Sequence, residues 1–320
     1  MAKLEEYMSF KEKLPFFWKG DEMIDRSVDY VFKELELMHS KVDFAFRGSS
    51  EAKYKLYNSC QRYYINTELF GHGSDESDHY ELFVTRLIEH TKQWNRGTVA
   101  SMLQEMDISP DNSLAYLSYM QHFGIPSPLL DFTTDPFVAL FFAIDGMQFQ
   151  PSDNEIDNYF SVYAVLTNTI FTRTWEYVFE KNTEVGKSLP YSEVSRNTLA
   201  IISNSNPAYR IINNTNIINQ KGLFFYTNNS QDPLEKVFFD NAEFMKGEVG
   251  EERFKQEFLG HHEFGRCFNI HKSLAPYILD VLSERGITKE YIYPDVWKMK
   301  QSVVHRAVTE ILVKDDKTPS

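Results

Sequence analysis

Residues 129–144 read LLDFTTDPFVALFFAI, a short apolar run followed, after a proline, by a longer one. The first run contains one acid, Asp131, and has the length of a strand. Thr134-Asp135-Pro136 then predicts a helix start, because an acidic cap followed by proline in the first turn is typical of helix N-termini. Residues 137–144 are apolar on nearly all sides, so we expect this helix to be buried.

The segment before this strand predicts a helix that ends in a turn. Asn112-Ser113 is suited to cap a helix running to His122, and Gly124 is suited to end it. Residues 125–128 contain two prolines and cannot continue a helix. Polar side chains at 121, 122 and 131 are thereby brought near one turn.

Residues 43–48, DFAFRG, alternate in polarity and end in glycine, which indicates a strand with Arg47 at its end. Apolar spacing further predicts the helices 78–93, 272–285 and 295–312 and the strands 160–166, 210–212, 222–226 and 265–270. Polar stretches at about 147–158 and 180–200 predict surface insertions. We expect an α+β fold with a central, mainly antiparallel sheet flanked by helices, and helical N- and C-terminal segments.

The composition narrows the functional classes. With 320 residues and 42% hydrophobic content the chain is able to bury a large core. A net charge of -13, from 33 basic and 46 acidic residues, argues against nucleic acid as a ligand without excluding it as a target. The longest apolar stretch is far shorter than the roughly 20 residues that span a bilayer. We therefore expect no membrane partner.

The cysteines and histidines do not predict a metal site. Cys60 and Cys267 have no metal-ligand spacing, and the first residues, MAKLEEYMSF, lack the apolar region of a secretory leader. His261-His262-Glu263 places adjacent side chains in different directions, so at most two of them are able to share one ion. We expect a cytoplasmic protein without a metal.

Arg47 followed by Gly48 is the first candidate site. An arginine held by a strand is a rigid, always-charged fork that suits phosphate or carboxylate, and glycine lets a ligand approach the backbone. The alternative is that Arg47 pairs with a buried acid, for which Asp131 is the obvious partner. The sequence supports both interpretations equally.

The second candidate site is a cluster of polar residues within 121–136. Its members, which lie between apolar runs, are Gln121, His122, Asp131, Thr133 and Thr134. Such groups either satisfy one another or contact a ligand. Backbone N–H groups at the helix start near Thr134 would add an anion site. The alternative is a structural turn in which Asp131 accepts hydrogen bonds from loop amides.

Together these segments resemble the FRG domain, a bacterial family named for the Phe-Arg-Gly that stands here at 46–48. Its other mark is a Gln-His-(aromatic)-Gly-(apolar)-Pro-Thr-(any)-Leu-Leu-Asp-(aromatic)-Thr run, followed by proline and an alanine-rich aromatic helix. The chain matches at Gln121, His122, Gly124, Pro126, Leu129, Leu130, Asp131, Phe132, Thr133, Pro136, Ala139, Phe142 and Ala143. It departs at Ser127, where Thr is usual, and at Phe132, where Trp is common.

Later segments extend the resemblance over most of residues 41–312. Arg210 with residues 219–224 is similar to the family's Arg…Gln-(any)-Gly-(any)-Phe strand pair, and residues 286–295 are similar to its closing element. The resemblance implies a lead-in at 1–40, an FRG domain at 41–312 and a tail at 313–320.

A weaker, fold-level likeness is to the ADP-ribosyltransferase superfamily. It implies that Arg47 grips NAD phosphates or ribose, that Thr133 braces the nicotinamide ribose, and that Gln220 stands where a late-strand glutamate stabilises the oxocarbenium-like centre. A glutamine supplies no charge, so either catalysis is weak, another acid such as Glu263 serves, or the site only binds.

These resemblances give two hypotheses. In the first, the protein is an ADP-ribosyltransferase-like toxin or defence effector that uses NAD or another small anionic or nucleotide ligand. Its catalytic residues are then Arg47, Thr133 and Gln220, and its ligand-binding residues are Gly48, Gln121, His122, Asp131, Thr134 and Arg210. In the second, the chain is a non-catalytic binding module for a protein partner, and the same residues are structural.

Overall fold

The computed structural model of the chain describes residues 4–41, 44–67, 69, 76–167, 172–174, 199–202, 215–257 and 263–294. These residues form an α+β fold in which helices flank one mixed sheet, as predicted. No helix in these ranges has both the length and the apolar character needed to cross a membrane.

The sheet contains nine strands within the described ranges. They are β1 (Phe17–Trp18), β2 (Met23–Ile24), β3 (Phe44–Ser49), β4 (Leu129–Thr133), β5 (Tyr159–Leu166), β6 (Thr172–Thr174), β7 (Leu199–Ile202), β8 (Gly222–Thr227) and β9 (Gly265–His271). Their order is β1-β9-β5-β3-β4-β8-β7-β6, and β2 also pairs with β9. Five pairings are antiparallel and three are parallel, which confirms the prediction of a mainly antiparallel sheet.

The helices lie between and around these strands. They are α1 (Val28–His39), α2 (Ser59–Asn66), α3 (Glu76–Glu105), α4 (Ser113–His122), α5 (Pro136–Ile144), α6 (Thr215–Asn219), α7 (Leu234–Val249), α8 (Glu251–Glu257), α9 (Ala275–Glu284) and α10 (Lys289–Ile292). Residues 94–97 interrupt α3, since their backbone leaves the helical region. Short 3₁₀ turns occur at Phe10–Lys13, Glu155–Asn158 and Lys272–Leu274.

Side-chain caps explain where the central helices begin. Asn112 accepts a hydrogen bond from the backbone N–H of Ala115 at the start of α4. Asp135 accepts one from Phe137 at the start of α5, where Pro136 occupies the first turn. Both starts were predicted from the same residues.

Helix α5 is buried, as its apolar sequence predicted, and it packs directly on β3. Gly48 makes this possible, because a Cβ at this position would lie 2.0 Å from the carbonyl oxygen of Ala139 and 2.6 Å from the backbone nitrogen of Ala143. The glycine of the Phe-Arg-Gly motif therefore sets the distance between the sheet and its central helix.

Each face of the sheet carries its own core. One face is covered by α1, α5 and α9 over β3, β5 and β9, and by α2 to α4 over β4 and β8. The opposite face is covered by Phe17 of β1 and by α7. Residues on β4 alternate between these cores, so Leu129 faces the α4 side while Leu130 and Phe132 face α7.

Several segments differ from the expectation. Residues 4–40 are α-helical only at α1, and they add the strands β1 and β2 to an edge of the sheet. Residues 215–219, between two expected strands, form a helix, and the last two residues of the expected insertion 180–200 begin β7. The strand expected at 210–212, the helix expected at 295–312, and His261 and His262 lie outside the described residues.

Candidate ligand pocket

The site lies where two strands of the sheet separate. β3 and β4 share a single residue pair, Phe46 with Thr133. Beyond this pair β3 continues along β5 as far as Ser49, while β4 continues along β8 as far as Leu129. The two strands therefore diverge and leave a wedge in the sheet.

Arg47 spans this wedge. Its Nη1 donates a hydrogen bond to the backbone carbonyl oxygen of Asp131 at 2.5 Å. The carbonyl would otherwise face the gap left by the diverging strand. The arginine thus joins the two halves of the sheet through one of its five N–H donors.

A cavity of about 410 Å³ opens at the wedge. Seven of the nine predicted site residues line it: Arg47, Gly48, Gln121, His122, Asp131, Thr133 and Gln220. The remaining lining residues are Phe46, Phe132, Ala139, Phe142, Ile217, Gly222, Leu223, Phe224 and Tyr293. Thr134 is not among them, and Arg210 lies outside the described residues.

Arg47 and Asp131 do not form a closed pair. The guanidinium contacts the backbone carbonyl of Asp131, whereas Oδ2 of its carboxylate accepts a hydrogen bond from Nε2 of Gln121 at 2.6 Å. Burial of the guanidinium away from water lowers the pKa of Arg47 to about 10, and the nearby Asp131 carboxylate opposes this change. The arginine remains charged at neutral pH and faces the cavity.

Burial raises the pKa of Asp131, and the positive charge of Arg47 and the hydrogen bond from Gln121 counteract it. The positive charge of a second arginine, Arg62 on α2, also lowers the pKa of Asp131. Its Nη1 donates to the carbonyl oxygen of Tyr57 at 3.1 Å. Although the walls of the pocket surround it, the Asp131 side chain keeps accessible surface toward the cavity.

His122 lies at the C-terminal end of α4 and also lines the pocket. Partial burial lowers the pKa of its ring below the ordinary value for histidine. The ring packs edge-on against Phe123 with 4.8 Å between centroids. At neutral pH His122 therefore presents a neutral imidazole.

Thr133 and Gln220 hold elements of the pocket together. The Oγ1 of Thr133 donates to the backbone carbonyl of Gln220 at 2.6 Å and accepts from the N–H of Asp135 at 3.0 Å. The Nε2 of Gln220 donates to the carbonyl of Ile292 at 3.3 Å. The hydroxyl of Thr133, which the transferase likeness assigned to a ribose, is thus engaged in joining β4 to the turn before β8.

Two expectations about the backbone need correction. The space beside Gly48 was expected to admit a ligand, but α5 occupies the position where a Cβ would stand. The start of α5 was expected to offer free N–H groups near Thr134, but Asp135 caps Phe137 and also forms an ion pair with Lys221 at 2.8 Å. Of the features expected to bind an anion, Arg47 is the one that carries a positive charge and lines the cavity.

Sequence reasoning missed an aromatic wall of the pocket, which is formed by Phe142, Phe224 and Tyr293. Tyr293, which is 37% exposed, contacts the rings of Phe142 and Phe141, with centroid distances of 6.1 Å and 6.4 Å. Phe224 on β8 also lines the cavity. Only the resemblance of residues 286–295 to the family's closing element pointed to this region, since Tyr293 follows a short helix far along the chain from Arg47.

The described residues contain no group of three histidine, cysteine or acidic side chains arranged to hold a metal ion. Glu263, the alternative acid considered for transfer chemistry, is not a lining residue. Asp131 is therefore the one carboxylate among the described residues that line the cavity.

Comparison with known proteins fits this geometry. Residues 42–151 match the family model of the FRG domain, so the chain is an FRG domain-containing protein. The matched span includes β3, α4, β4 and α5, and with them the polar half of the pocket. Residues 217–224 and Tyr293, which complete the pocket, follow that span. Searches of the curated proteins and of the solved structures found no match.

Proposed function

We propose that the pocket binds a small nucleotide and that NAD is the first candidate ligand. The observation that carries the proposal is the position of Arg47, a fixed cation facing a cavity of about 410 Å³. This volume falls within the range of roughly 300–1,000 Å³ that is usual for small-molecule sites.

Arg47 is suited to hold a phosphate. Its one hydrogen bond to Asp131 fixes the orientation of the guanidinium and leaves other N–H donors for a ligand. Burial lowers the pKa of Arg47, so the surroundings alone do not compensate its charge fully. An anionic group in the cavity would complete that compensation.

The aromatic wall is suited to a planar ring. Phe142, Phe224 and Tyr293 line the same cavity as Arg47, and aromatic side chains stack well on bases and on nicotinamide. A ligand that combines a phosphate with a planar ring matches both parts of the pocket.

ADP-ribosyl transfer, as in a toxin or defence effector, is the finer form of this proposal. It requires a carboxylate near the reacting sugar, and Asp131 is in the pocket for that role while Gln220 carries no charge. The competing proposal is a non-catalytic module for a protein partner. It is favoured by the structural hydrogen bonds of Thr133 and Gln220 and by the packing of Gly48 on α5.

Titration calorimetry with NAD and with AMP tests the binding proposal, and the same protein incubated with labelled NAD tests for nicotinamide release. We expect saturable binding of at least one nucleotide by the wild type and its loss in Arg47→Ala. Binding without release supports a nucleotide sensor rather than a transferase. Equal behaviour of the wild type and Arg47→Ala toward every nucleotide would contradict the proposal.

A further inference from the structure

We infer that Asp131 recognises the hydroxyl groups of a ribose, so that the pocket selects ribonucleotides over their 2′-deoxy counterparts. The inference rests on the proposed nucleotide binding and adds the identity of the sugar. It assigns Asp131 as a specificity-determining residue.

The first observation is the proximity of cation and carboxylate. Nη1 of Arg47 lies 2.5 Å from the backbone carbonyl oxygen of Asp131. The guanidinium that would bind the phosphate therefore contacts the same residue that carries the carboxylate. In a nucleotide the phosphate and the ribose hydroxyls are carried by one sugar. A phosphate on Arg47 therefore brings the hydroxyls within reach of Asp131.

The second observation is the way in which the carboxylate is held. β4 places Asp131 on the same side as Leu129 and Thr133, toward the cavity, and Gln121 fixes Oδ2 by a bond of 2.6 Å. An ionised carboxylate has about four acceptor positions and no donor. Gln121 and the backbone N–H of Asp131 itself use two of them, and the others are open to a donor in the cavity.

The third observation concerns which partners fit. A phosphate placed against Asp131 would be repelled, and a second cation would compete with Arg47 and Arg62, which already act on this carboxylate. Ribose hydroxyls are neutral donors, and an acidic side chain is the usual partner of the ribose 2′-OH in dinucleotide sites. The same reasoning predicts weaker binding of ligands that carry a 2′-phosphate.

Paired titrations test this assignment. The four ribonucleoside 5′-monophosphates AMP, CMP, GMP and UMP are compared with dAMP, dCMP, dGMP and dUMP, and NAD is compared with NADP. For any ribonucleotide that binds, we expect about tenfold weaker binding of its 2′-deoxy form, which corresponds to about 1.4 kcal/mol. We also expect NADP to bind more weakly than NAD.

Variants separate Asp131 from general effects on the fold. Asp131→Ala should reduce the ribo-to-deoxy ratio to near one. Glu263→Gln, which changes an acid outside the pocket, should keep the wild-type ratio. Thermal melting of each variant verifies that it is folded.

The outcomes distinguish the two proposals. Equal binding of ribose and deoxyribose forms by the wild type would overturn the inference and leave nucleotide binding intact. A ratio that survives Asp131→Ala would also overturn it and would assign the sugar to another residue. If no mononucleotide and neither dinucleotide binds, both the proposed function and the inference fail.

Discussion

Two groups of polar and charged residues border the same sheet and use their hydrogen bonds differently. The pocket group consists of Arg47, Gln121 and Asp131. The buried group, beneath the N-terminal segment and α7, consists of Tyr7, Lys13, Ser161, Glu235, Cys267 and Asn269. They adjoin at Tyr163, which is the β5 partner of Arg47 and lies 5.4 Å, ring centroid to Nζ, from Lys13.

The buried group satisfies its own polar atoms. Nζ of Lys13 donates to Oδ1 of Asn269 at 2.7 Å and to Oγ of Ser161 at 3.0 Å. Glu235 accepts from the hydroxyl of Tyr7 at 2.7 Å and from the backbone N–H of Leu56. Lys13 and Glu235 are fully buried, and burial lowers the pKa of the lysine and raises that of the glutamate.

The pocket group instead faces a cavity with part of its bonding capacity unused. Arg47 makes its bond to a carbonyl rather than to the carboxylate of Asp131, and that carboxylate is fixed by a neutral amide. The presence of a buried or half-buried charge therefore does not by itself identify a ligand site. What distinguishes the two regions is whether the donors and acceptors are satisfied within the protein.

The largest expected effect comes from breaking the buried group. Glu235→Ala leaves the hydroxyl of Tyr7 and the N–H of Leu56 without this acceptor in the buried interior. Each unmatched group costs roughly 1–3 kcal/mol, so we expect the free energy of unfolding to fall by about 2–6 kcal/mol. Urea denaturation measures this loss.

Glu235→Gln is the matched control, because its amide oxygen still accepts one of the two hydrogen bonds. Its loss of stability should be smaller than that of Glu235→Ala. Nucleotide affinity, measured well below the melting temperature, should be unchanged in both variants. A Glu235→Ala protein as stable as the wild type would show that the buried group is not what holds this face of the sheet.

Arg47→Ala should have the opposite profile, a large loss of ligand affinity with little loss of stability. Charge-assisted hydrogen bonds contribute roughly 1.5–3 kcal/mol, so we expect about 10- to 100-fold weaker nucleotide binding. The freed carbonyl of Asp131 faces the cavity, where water is able to replace the guanidinium. Calorimetry and thermal melting on the same preparation measure the two effects.

Arg62→Ala serves as the control for this variant, since Arg62 lies near Asp131 but does not line the cavity. It should weaken binding less than about threefold, through the long-range field alone. A strong drop in melting temperature for Arg47→Ala with unchanged affinity would make the arginine structural and would favour the non-catalytic hypothesis.

The elements that surround the pocket were predictable from local sequence. The cap Asp135, the proline after it and the apolar run to Ile144 identified α5, and the alternation in residues 43–48 identified β3. The burial of α5 followed from its lack of a polar face. These features depend on residues that are neighbours in the chain.

The parts that were not predicted depend on contacts between distant residues. Arg47 was expected to meet a ligand or the carboxylate of Asp131, but its partner is a backbone carbonyl made available because β3 and β4 diverge. Tyr293 lies at the pocket on a segment held by contacts from distant residues, among them the hydrogen bonds from Asn219 to the carbonyl of Tyr291 and from Gln220 to the carbonyl of Ile292. Sequence periodicity contains no information about either contact.

Gln220→Glu is expected to have a moderate effect whose sign separates two uses of the pocket. For simple binding, the added negative charge should weaken a phosphate-containing ligand about threefold to tenfold through repulsion in the cavity. For ADP-ribosyl transfer, the same charge should raise nicotinamide release by stabilising the developing cation. Titration and a release assay on one preparation measure both quantities.

Gln220→Ala is the control for the lost donor to Ile292, because it removes the same hydrogen bond without adding charge. The difference between the two variants isolates the effect of the charge. If both variants weaken binding equally and neither changes nicotinamide release, Gln220 acts only by holding the segment that carries Tyr293.

The smallest expected effect is the dependence of stability on pH at Asp131. Burial raises the pKa of this carboxyl in the folded protein, so the folded state binds the proton more tightly than the unfolded chain does. Stability from this group is therefore present below the ordinary pKa of aspartate and is lost as pH rises through the folded pKa.

Asp131→Asn removes the ionisation and still offers Gln121 an acceptor oxygen. Urea unfolding should show the variant equal to the wild type near pH 4 and more stable at pH 7 by less than about 1 kcal/mol, since the side chain faces the cavity. For Glu235→Gln, the stability relative to the wild type should also rise with pH, and more steeply, because burial also raises the pKa of Glu235 and its side chain has no solvent access. This change with pH is added to the constant loss of one hydrogen bond in that variant. A wild type that is more stable than Asp131→Asn at pH 7, by a margin that grows as pH rises, would show that Arg47 and Gln121 outweigh burial, and the polar atoms of the pocket group would then be satisfied within the protein like those of the buried group.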